Sequence, residues 1–518
     1  MKIELHPIDL GILILYFLFV LGLGWFFSRR ELTTEDSYFV AGRKLGWLAI
    51  GASLFASNIS SEHLIGLAAD GYRTGLAVGN YEWGATVALV ILATVFVPFY
   101  IGSKVRTMPE FLERRYGTSA RIYLSTITIV ANVLVRISPA LFAGTLVLES
   151  LLGFERWPAI FIMAIATVFY TAAGGLAAVV YTDVLQAAIL LVGTTVLSIN
   201  ALSAVGGWAE LRAGLDPSMF DMVRPADDPE MPWVGLVFGV PVLGIWYWCT
   251  DQTIVQRVLG AKDVHNARMG AIFAAFLKLT PVFLFVLPGL CARLLYPNLE
   301  SPNHVFPTLL GDLLPTGLLG LVAAGLIAAL MSSIDSTLNS TATLVAIDFV
   351  QRFRPNTSPA RLIKIGRYTT VVVMAFGIAW VLVVERAESL FQYLQQVNAA
   401  ISPPIAATFI VGVFWHRANH RGAMWALVGG LVIGLVLMAL APFSFLISAA
   451  VTFALSIGLL VVGSLSVRTS SLTHSPTQLW SEAGKRLLAL EPSSHRLVFR
   501  IGAGGACGAL FYLWSTFA

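Results

Sequence analysis

The chain has 518 residues, of which 57% are hydrophobic and only 12% are charged, and its formal net charge is +4. A soluble domain carries about a quarter charged residues, so this composition excludes a soluble globular protein and predicts a polytopic membrane protein. The three cysteines lie in apolar stretches and argue against a disulfide framework, and the eight histidines show no metal-ligand spacing.

Apolar runs of about 20 residues recur from near Ile8 to the C-terminus, and each is long enough to cross roughly 30 Å of hydrocarbon as a helix. They predict an all-α bundle, because the strands of a barrel would alternate in polarity. Arg29 and Arg30 follow the first run where a signal peptide would have a small-residue cleavage site, so a retained span is expected. We predict about fourteen transmembrane helices, at 8–28, 47–69, 77–103, 119–150, 157–173, 180–204, 233–254, 266–296, 316–349, 364–385, 389–416, 423–441, 443–468 and 497–517.

Basic residues concentrate in the connections that follow odd-numbered spans, among them Arg29, Arg114 and Arg257. By the positive-inside rule these connections are cytoplasmic, so both termini are predicted to be extracellular or periplasmic in a plasma (inner) membrane. The longer polar stretches contain no glycine-rich phosphate loop, nucleophile elbow or kinase signature. The chain is therefore not expected to be an enzyme, to bind nucleic acid or to need an obligate protein partner.

Two spans that lie five apart are interrupted, which predicts an inverted repeat. Span two carries polar residues at mid-depth, and span seven carries Gly239, Pro241 and Gly244 ahead of a polar end. Since five is odd, a second run of five spans starts from the opposite side of the membrane, an organisation typical of secondary transporters with a midplane site. We predict an extra helix and loop at 1–46, repeats at 47–204 and 233–416 separated by an extracellular loop at 205–232, and three further helices at 417–518 with a cytoplasmic loop at 467–496.

Two polar clusters occur where hydrocarbon is expected. The stretch SLFASNISSEHLIG begins at Ser53, and AALMSSIDSTLNSTAT begins at Ala328. Ser332, Ser336 and Asn339 share a helix face, and hydroxyls opposite a broken helix suit a sodium ion. The alternative for both clusters is hydrogen bonding between neighbouring helices.

Isolated charges at membrane depth cost at least about 2.5–3.5 kcal/mol each, so each needs a partner, water or a ligand. Glu82 and Lys278 either pair with each other or bind a polyhydroxy ligand between them. Nearby aromatic residues would stack on the apolar face of a sugar, although single aromatics are also common at membrane interfaces. The charges are Glu82, Arg136, Asp183, Lys278 and Asp335.

Four motifs together resemble the sodium:solute symporter family, and within it the sodium/sugar (glucose/galactose-type) cotransporter branch. They are GASLFASNISSEHLIGLA, GGLAAVVYTDVLQ, LMSSIDSTLNSTAT and YLQQVNAAISPPIAATFIVGVFW. The resemblance implies a 5+5 inverted-repeat (LeuT-like) core with discontinuous first helices, Na⁺ as the coupling ion, and import of a hexose-like sugar by alternating access in a lipid bilayer.

The resemblance also implies positions for the sites. The main sodium site would use Ala56, Ile59, Ala329, Ser332 and Ser333. A second sodium site, present in some members, would use Asp183, Ser333, Asp335 and Ser336. Sugar would bind at Asn58, His63, Glu82, Tyr247, Trp248, Lys278 and Gln395. Tyr247 would be the inner gate, and Leu67, Tyr81 and Phe391 would form the outer gate.

The sequence departs from this family pattern in ways that keep rivals open. Gly244 stands where sugar transporters often have a small polar residue, and Asp335 stands where a serine or threonine is common. Arg136 lies near a position that binds an acidic substrate in some relatives. Alternatives are therefore a sodium symporter for sialic acid or another carboxylate, inositol, an amino acid or a vitamin, and a solute-sensing membrane module.

Overall fold

The computed structural model describes residues 6–28, 41–59, 62–103, 105, 107–386, 390–440, 443–467 and 486–517. This part of the chain is almost entirely helical, and its only β-type pairings are two isolated bridges, Leu45 with Ala261 and Arg224 with Pro232. The predicted all-α class is confirmed.

In the described residues of the first half, the main helices are numbered α1 to α8. They are α1 (Pro7–Ser28), α2 (Trp47–Asn58), α3 (Ala68–Thr74), α4 (Leu76–Ser103), α5 (Met108–Tyr116), α6 (118–152), α7 (Arg156–Ala204) and α8 (Trp208–Gly214).

In the described residues of the second half, the main helices are numbered α9 to α18. They are α9 (Trp233–Thr250), α10 (Gln252–Leu259), α11 (Val264–Leu295), α12 (Val305–Leu313), α13 (Leu318–Gln351), α14 (Pro359–Val384), α15 (Leu390–Phe414), α16 (His420–Leu440), α17 (Phe445–Leu465) and α18 (Ser493–Phe517).

Both first helices of the predicted repeats are discontinuous. Helix α2 ends at Asn58, and Ile59 adopts the extended conformation (φ −67°, ψ 107°) before a π-helical turn at Glu62–Leu67. Helix α9 ends at Thr250, and Asp251 is extended (φ −73°, ψ 130°) before α10. Ser60 and Ser61 lie outside the described residues.

The predicted place of the second interruption is wrong. Gly239 keeps near-helical dihedrals (φ −90°, ψ −51°), and Pro241 lies in the first turn of the continuing helix, where a missing N–H costs no hydrogen bond. The chain instead leaves the helix at Asp251, whose carboxylate accepts the backbone N–H of Thr253 at 2.9 Å and so caps α10.

The predicted spans 157–173 and 180–204 both lie in α7, which is one helical element of 49 residues. The connecting sequence AAGGLA contains no proline, asparagine or aspartate that would end a helix. Met163 and Asp183 nevertheless both approach the short stretch of α13 that holds Leu330 and Ser332. A straight helix would separate them by about 30 Å, so α7 bends back between them.

The predicted number of fourteen spans is not confirmed. Within the described residues, eleven helices are long and apolar enough to cross a membrane. Two of the predicted spans are represented by shorter apolar helices, Pro7–Tyr16 and Arg156–Phe169. The count depends on length, since a helix of about 20 residues is needed to span the hydrocarbon.

Glycines let the central helices approach closely. A Cβ on Gly51 of α2 would lie 2.7 Å from the carbonyl oxygen of Gly270 in α11, and one on Gly325 of α13 would lie 2.8 Å from Cγ2 of Ile189 in α7. Small residues at helix crossings are typical of membrane bundles, where close packing replaces the hydrophobic effect between helices. These crossings bring α2, α7, α11 and α13 together around the two polar clusters.

Candidate functional site

A central cavity is lined by every residue of the predicted sugar site. Two predicted outer-gate residues, Leu67 and Tyr81, also line it, as does Asn398, which the sequence did not single out. The predicted substrate residues in its wall are Asn58, His63, Glu82, Tyr247, Trp248, Lys278 and Gln395. Six structural segments therefore converge on one space, although these residues are spread over more than three hundred positions.

Lys278 is the polar centre of this cavity. Its ammonium donates to the Asn58 side-chain oxygen at 2.5 Å and to Glu82, and it lies 5.7 Å from the Trp248 ring centre. His63 contacts the other oxygen of Glu82 at 3.1 Å. Of the two predicted arrangements, the structure therefore contains the one in which Glu82 and Lys278 pair with each other. The pair lies in the wall of the cavity.

A break in α11 presents Lys278 to the cavity. Regular helix stops at Leu277, and Pro281 has no N–H with which to continue the backbone hydrogen bonds of the helix. The freed carbonyls find other donors: that of Leu279 accepts from the indole of Trp83 at 3.3 Å, and that of Leu277 accepts from the hydroxyl of Thr280 at 2.8 Å. The lysine is only 1% exposed, so its charge depends on the groups around it.

Tyr81 and Tyr247 lie at opposite boundaries of the central cavity. Tyr81 also lines a second cavity beside Arg73, Glu230 and Gln396, named the outer cavity after the predicted outer gate, and its ring stacks on Phe445 with centres 6.1 Å apart. Tyr247 also lines a third cavity, which Ser333 and Arg136 share. Three cavities therefore follow one another with a tyrosine at each junction. The side chain of Phe391, the remaining predicted gate, lies outside the described part of the structure.

Asp183 joins the broken helix α2 to the serine-rich helix α13. One carboxylate oxygen accepts hydroxyl hydrogens from Ser53 at 2.5 Å and Ser57 at 3.1 Å, and the other accepts from Ser332. Ser57 also lies 3.2 Å from the hydroxyl of Ser336. The end of α2 and the hydroxyl face of α13 are therefore held against each other by a buried carboxylate.

The residues predicted for the main sodium site lie on the two sides of this junction. Ala56 and Ile59 are at the end of α2, where carbonyls of the last helical turn have no partner within the helix. Ala329 and Ser332 are buried in α13, and Ser333 lines the third cavity together with Ser57. A cation between them would meet carbonyl and hydroxyl oxygens, the ligands that sodium accepts.

Arg257 is a site residue that the sequence reasoning missed. It was assigned to a cytoplasmic loop, but it lies in α10 and is 0% exposed. Its guanidinium donates to Ser53 at 2.9 Å and to Ser336, and one of its nitrogens lies 3.6 Å from Asp183. A fixed cation is therefore already present between two members of the predicted second sodium site.

Of the two other members of that second site, Asp335 stays in contact with Ser336, whereas Ser333 faces elsewhere. Asp335 accepts a hydrogen bond from Ser336 at 3.0 Å, and Ser333 faces the third cavity, where Thr337 is its neighbour. The structure thus brings Asp183 and Ser336 together with Arg257, while Ser333 faces a different space. The burial of the whole of α10 identifies Arg257 as a site residue. The spacing of the sequence around Arg257 gives no such indication.

Arg136 also has a carboxylate partner. Two of its nitrogens each lie 3.0 Å from an oxygen of Asp251, and the guanidinium lies 5.2 Å from the Tyr247 ring centre. One of these contacts is a hydrogen bond from Nη1 to Oδ1, and the other brings opposite charges close together. The positive charge beside the inner tyrosine is therefore balanced.

Comparison with known proteins agrees with this geometry. Residues 38–430 match the sodium:solute symporter family. The chain is 39% identical over 475 residues to sodium/glucose cotransporter 4 of Danio rerio, which covers 84% of this chain and 72% of that protein. It is 38% identical over 469 residues to a sodium/mannose cotransporter of Bos taurus, with coverages of 83% and 79%.

The fold also matches a solved structure, a Na⁺-coupled sialic acid symporter in a substrate-bound outward-open state. The TM-score is 0.80 at 22% identity, over 90% of this chain and 99% of that one, which shows a shared fold and confirms the predicted LeuT-like class. The relatives are sodium-coupled cotransporters and not enzymes. The chain is a multi-pass membrane protein that uses sodium as its coupling ion, and it belongs to the sodium:solute symporter family.

Proposed function

We propose that this protein imports a neutral, hexose-like sugar together with sodium by alternating access. The observation that carries the proposal is the central cavity, whose wall combines a balanced Lys278–Glu82 pair with amide groups and the aromatic rings of Tyr247 and Trp248. Amides and charged groups would hydrogen-bond sugar hydroxyls, and the rings would stack on the apolar face. Relatives named as glucose and mannose cotransporters support the same substrate class.

A carboxylated substrate such as sialic acid is the second candidate, because the matched solved structure is a sialic acid symporter. Such a substrate needs an available cation. Lys278 is paired with Glu82, and Arg136 is paired with Asp251. Binding an anion would require one of these pairs to separate at a cost, so the neutral sugar is favoured.

Sodium would couple to the sugar through the broken helix α2. An ion held by Ala56, Ile59, Ala329, Ser332 and Ser333 would order the end of α2. Asn58 lies one residue before Ile59 and hydrogen-bonds Lys278 in the sugar cavity. Sodium binding would then raise sugar affinity by the same factor by which sugar raises sodium affinity.

Alternating access would operate through the tyrosines at the cavity boundaries. Tyr81, with Leu67 and Phe391, would close the cavity from the outside, and Tyr247 would close it from the inside. With both termini outside, the connection at 205–232 and the outer cavity beside Glu230 face the sugar supply.

The sodium gradient supplies enough free energy with a single ion. A tenfold gradient gives about 1.4 kcal/mol and a membrane potential of 100 mV gives about 2.3 kcal/mol, which together correspond to about 500-fold sugar accumulation. One ion per cycle is therefore sufficient for scavenging.

Uptake in proteoliposomes tests the proposal. A panel of radiolabelled hexoses, myo-inositol and sialic acid is offered with and without an inward sodium gradient. We expect sodium-driven accumulation of at least one neutral sugar and no accumulation with potassium in place of sodium. Uptake of sialic acid alone would overturn the sugar assignment and favour the second candidate.

A further inference from the structure

A cluster of two histidines and a glutamate lies away from the transport pathway, where the start of α18 meets the start of α11. His265, Glu491 and His495 each offer a ligand atom, and these atoms all lie within 4.8 Å of one another. The two imidazole rings are stacked with centres 3.9 Å apart at 22°. The fold creates this cluster, since 225 positions or more separate His265 from the other two residues.

Two atoms of the cluster are buried without a hydrogen bond. Nδ1 of His265 and Oε1 of Glu491 face each other at 3.7 Å, beyond hydrogen-bond distance, and each lacks a hydrogen-bond partner. Glu491 is 8% exposed. Buried polar atoms are normally hydrogen-bonded, and each exception is explained by a bound ion or water or by strain. An imidazole nitrogen and a carboxylate oxygen that face one gap are suited to a shared cation.

The donor set selects the class of cation. Imidazole nitrogen suits zinc, copper and nickel, whereas magnesium and calcium prefer oxygen ligands alone. Zinc binds imidazole nitrogen at about 2.0–2.1 Å and carboxylate oxygen at about 2.0–2.2 Å, so the ligand atoms of a tetrahedral site lie about 3.4 Å from one another. Binding therefore requires the cluster to contract from its spread of up to 4.8 Å, and the stacked imidazole rings to rotate so that both nitrogens point at one ion. His495 is partly exposed, which gives the ion a route to the site and leaves a fourth position for water.

Arg268 contacts the same glutamate and is the main argument against a cation. Its guanidinium pairs with the other oxygen of Glu491 and lies 3.5 Å from the ring centre of Phe499. This contact fixes the orientation of the carboxylate and leaves Oε1 directed at His265. Hydrogen-bonded partners of this kind commonly orient the ligands of metal sites.

We propose that His265, Glu491 and His495 bind one divalent transition-metal ion of the zinc class. The ion would fasten the start of α18 to the first turn of α11, whose break near its middle carries Lys278. Movement of α11 during the transport cycle would then require α18 to move with it. Metal binding would therefore slow sodium-driven uptake, a regulatory effect that goes beyond the proposed sugar transport.

Direct titration of the purified full-length protein with ZnCl₂ or CoCl₂ tests the site independently of transport. Isothermal titration should show one equivalent bound, and His495→Ala should weaken the affinity at least tenfold. His304→Ala, which removes an exposed histidine outside the cluster, is the matched control and should keep the affinity. Absence of binding in the unaltered protein, or equal affinity in His495→Ala, would overturn the site.

A ligand exchange gives a positive test that does not depend on loss of binding. His495→Cys keeps a metal ligand at a partly exposed position, so zinc affinity should stay within tenfold of the unaltered protein. Cobalt bound to this variant should show a sulfur-to-cobalt charge-transfer absorption that the unaltered protein lacks. If binding is retained without this absorption, residue 495 is not a ligand and the proposal fails.

Transport then reports the consequence. Zinc should lower sodium-driven uptake by the unaltered protein and leave His495→Ala unaffected, and basal uptake by the two proteins should be equal without zinc. Equal inhibition of both would show that zinc acts elsewhere and would remove the regulatory part of the proposal. The titration decides the metal site even if sugar uptake is not observed.

Discussion

The guanidinium of Arg257 lies 3.6 Å from the carboxylate of Asp183, and both side chains are fully buried between α2, α7, α10 and α13. Ser53 connects them, since it accepts from Arg257 at 2.9 Å and donates to Asp183 at 2.5 Å. The carboxylate that holds the broken helix against the serine face therefore has a permanent counter-charge next to the proposed sodium site.

Arg257→Gln should lower the melting temperature in sodium-free buffer. Removing one member of a buried ion pair leaves an uncompensated charge and costs about 3–5 kcal/mol. Asp183 would then attract a mobile cation, so added sodium should raise the melting temperature more in this variant than in the unaltered protein. Thermal unfolding at several sodium concentrations measures both effects.

The double variant Asp183→Asn/Arg257→Gln is the control for that prediction. It removes both charges, so it should recover part of the stability and lose the additional response to sodium, which a double-mutant cycle quantifies. An unchanged melting temperature in Arg257→Gln, with the ordinary sodium response, would contradict the role given to this pair.

Ser332→Ala and Ser333→Ala should each raise the sodium concentration for half-maximal uptake by about tenfold or more. Each removes one oxygen from the proposed ion site, and a hydrogen bond to a charged group contributes about 1.5–3 kcal/mol. Ser340→Ala is a matched control, because Ser340 lies on the same helix, is buried and has no hydrogen-bond partner. The ion assignment fails if sodium dependence is the same in all three variants.

The helical class and most cavity residues were predictable because they depend on local signals. Apolar runs predict spans wherever they exceed the hydrocarbon thickness, and polar residues such as Asn58 and Ser332 stand out within them. The family resemblance selected seven dispersed residues that the structure gathers around one cavity. These predictions needed no knowledge of how the helices pack.

Partners across the bundle were not predictable, because sequence spacing carries no information on them. Arg257 looks like a loop residue until the burial of α10 is known, and Asp251 pairs with Arg136 from 115 positions away. The break at Asp251 depends on its own side chain, which caps the next helix. Gly239 and Pro241 instead suggested a break earlier in α9. His265 and His495 meet only because α18 packs on α11.

Gln395→Ala should raise the sugar concentration for half-maximal uptake by about two- to tenfold, the effect of losing a hydrogen bond worth about 0.5–1.5 kcal/mol. Gln396→Ala is the matched control, since the neighbouring glutamine lines the outer cavity and not the central one. Initial uptake rates over a range of sugar concentrations measure the difference. Equal effects of the two changes would remove Gln395 from the sugar site.

Lys278→Ala should have a larger effect on sugar affinity than Gln395→Ala, while sodium still stabilises the protein. The lysine contacts both Asn58 and Glu82, so its loss disorganises the cavity and leaves a buried carboxylate. Lys278→Met/Glu82→Gln removes both charges and should recover thermal stability without recovering sugar affinity. Recovery of both by the double variant would assign the lysine a purely structural role.

Asp251→Asn should let sugar acids compete with neutral sugars. The change removes the charge that balances Arg136, which lines the cavity beyond Tyr247, and asparagine still caps α10 as well as aspartate does. Inhibition of sugar uptake by a hexuronate, relative to inhibition by the parent hexose, measures this gain. Arg136→Gln/Asp251→Asn should lose it again, because no cation then remains beside Tyr247 to receive the carboxylate. If the single variant discriminates against the hexuronate as strongly as the unaltered protein does, the Arg136–Asp251 pair does not set the preference for a neutral substrate.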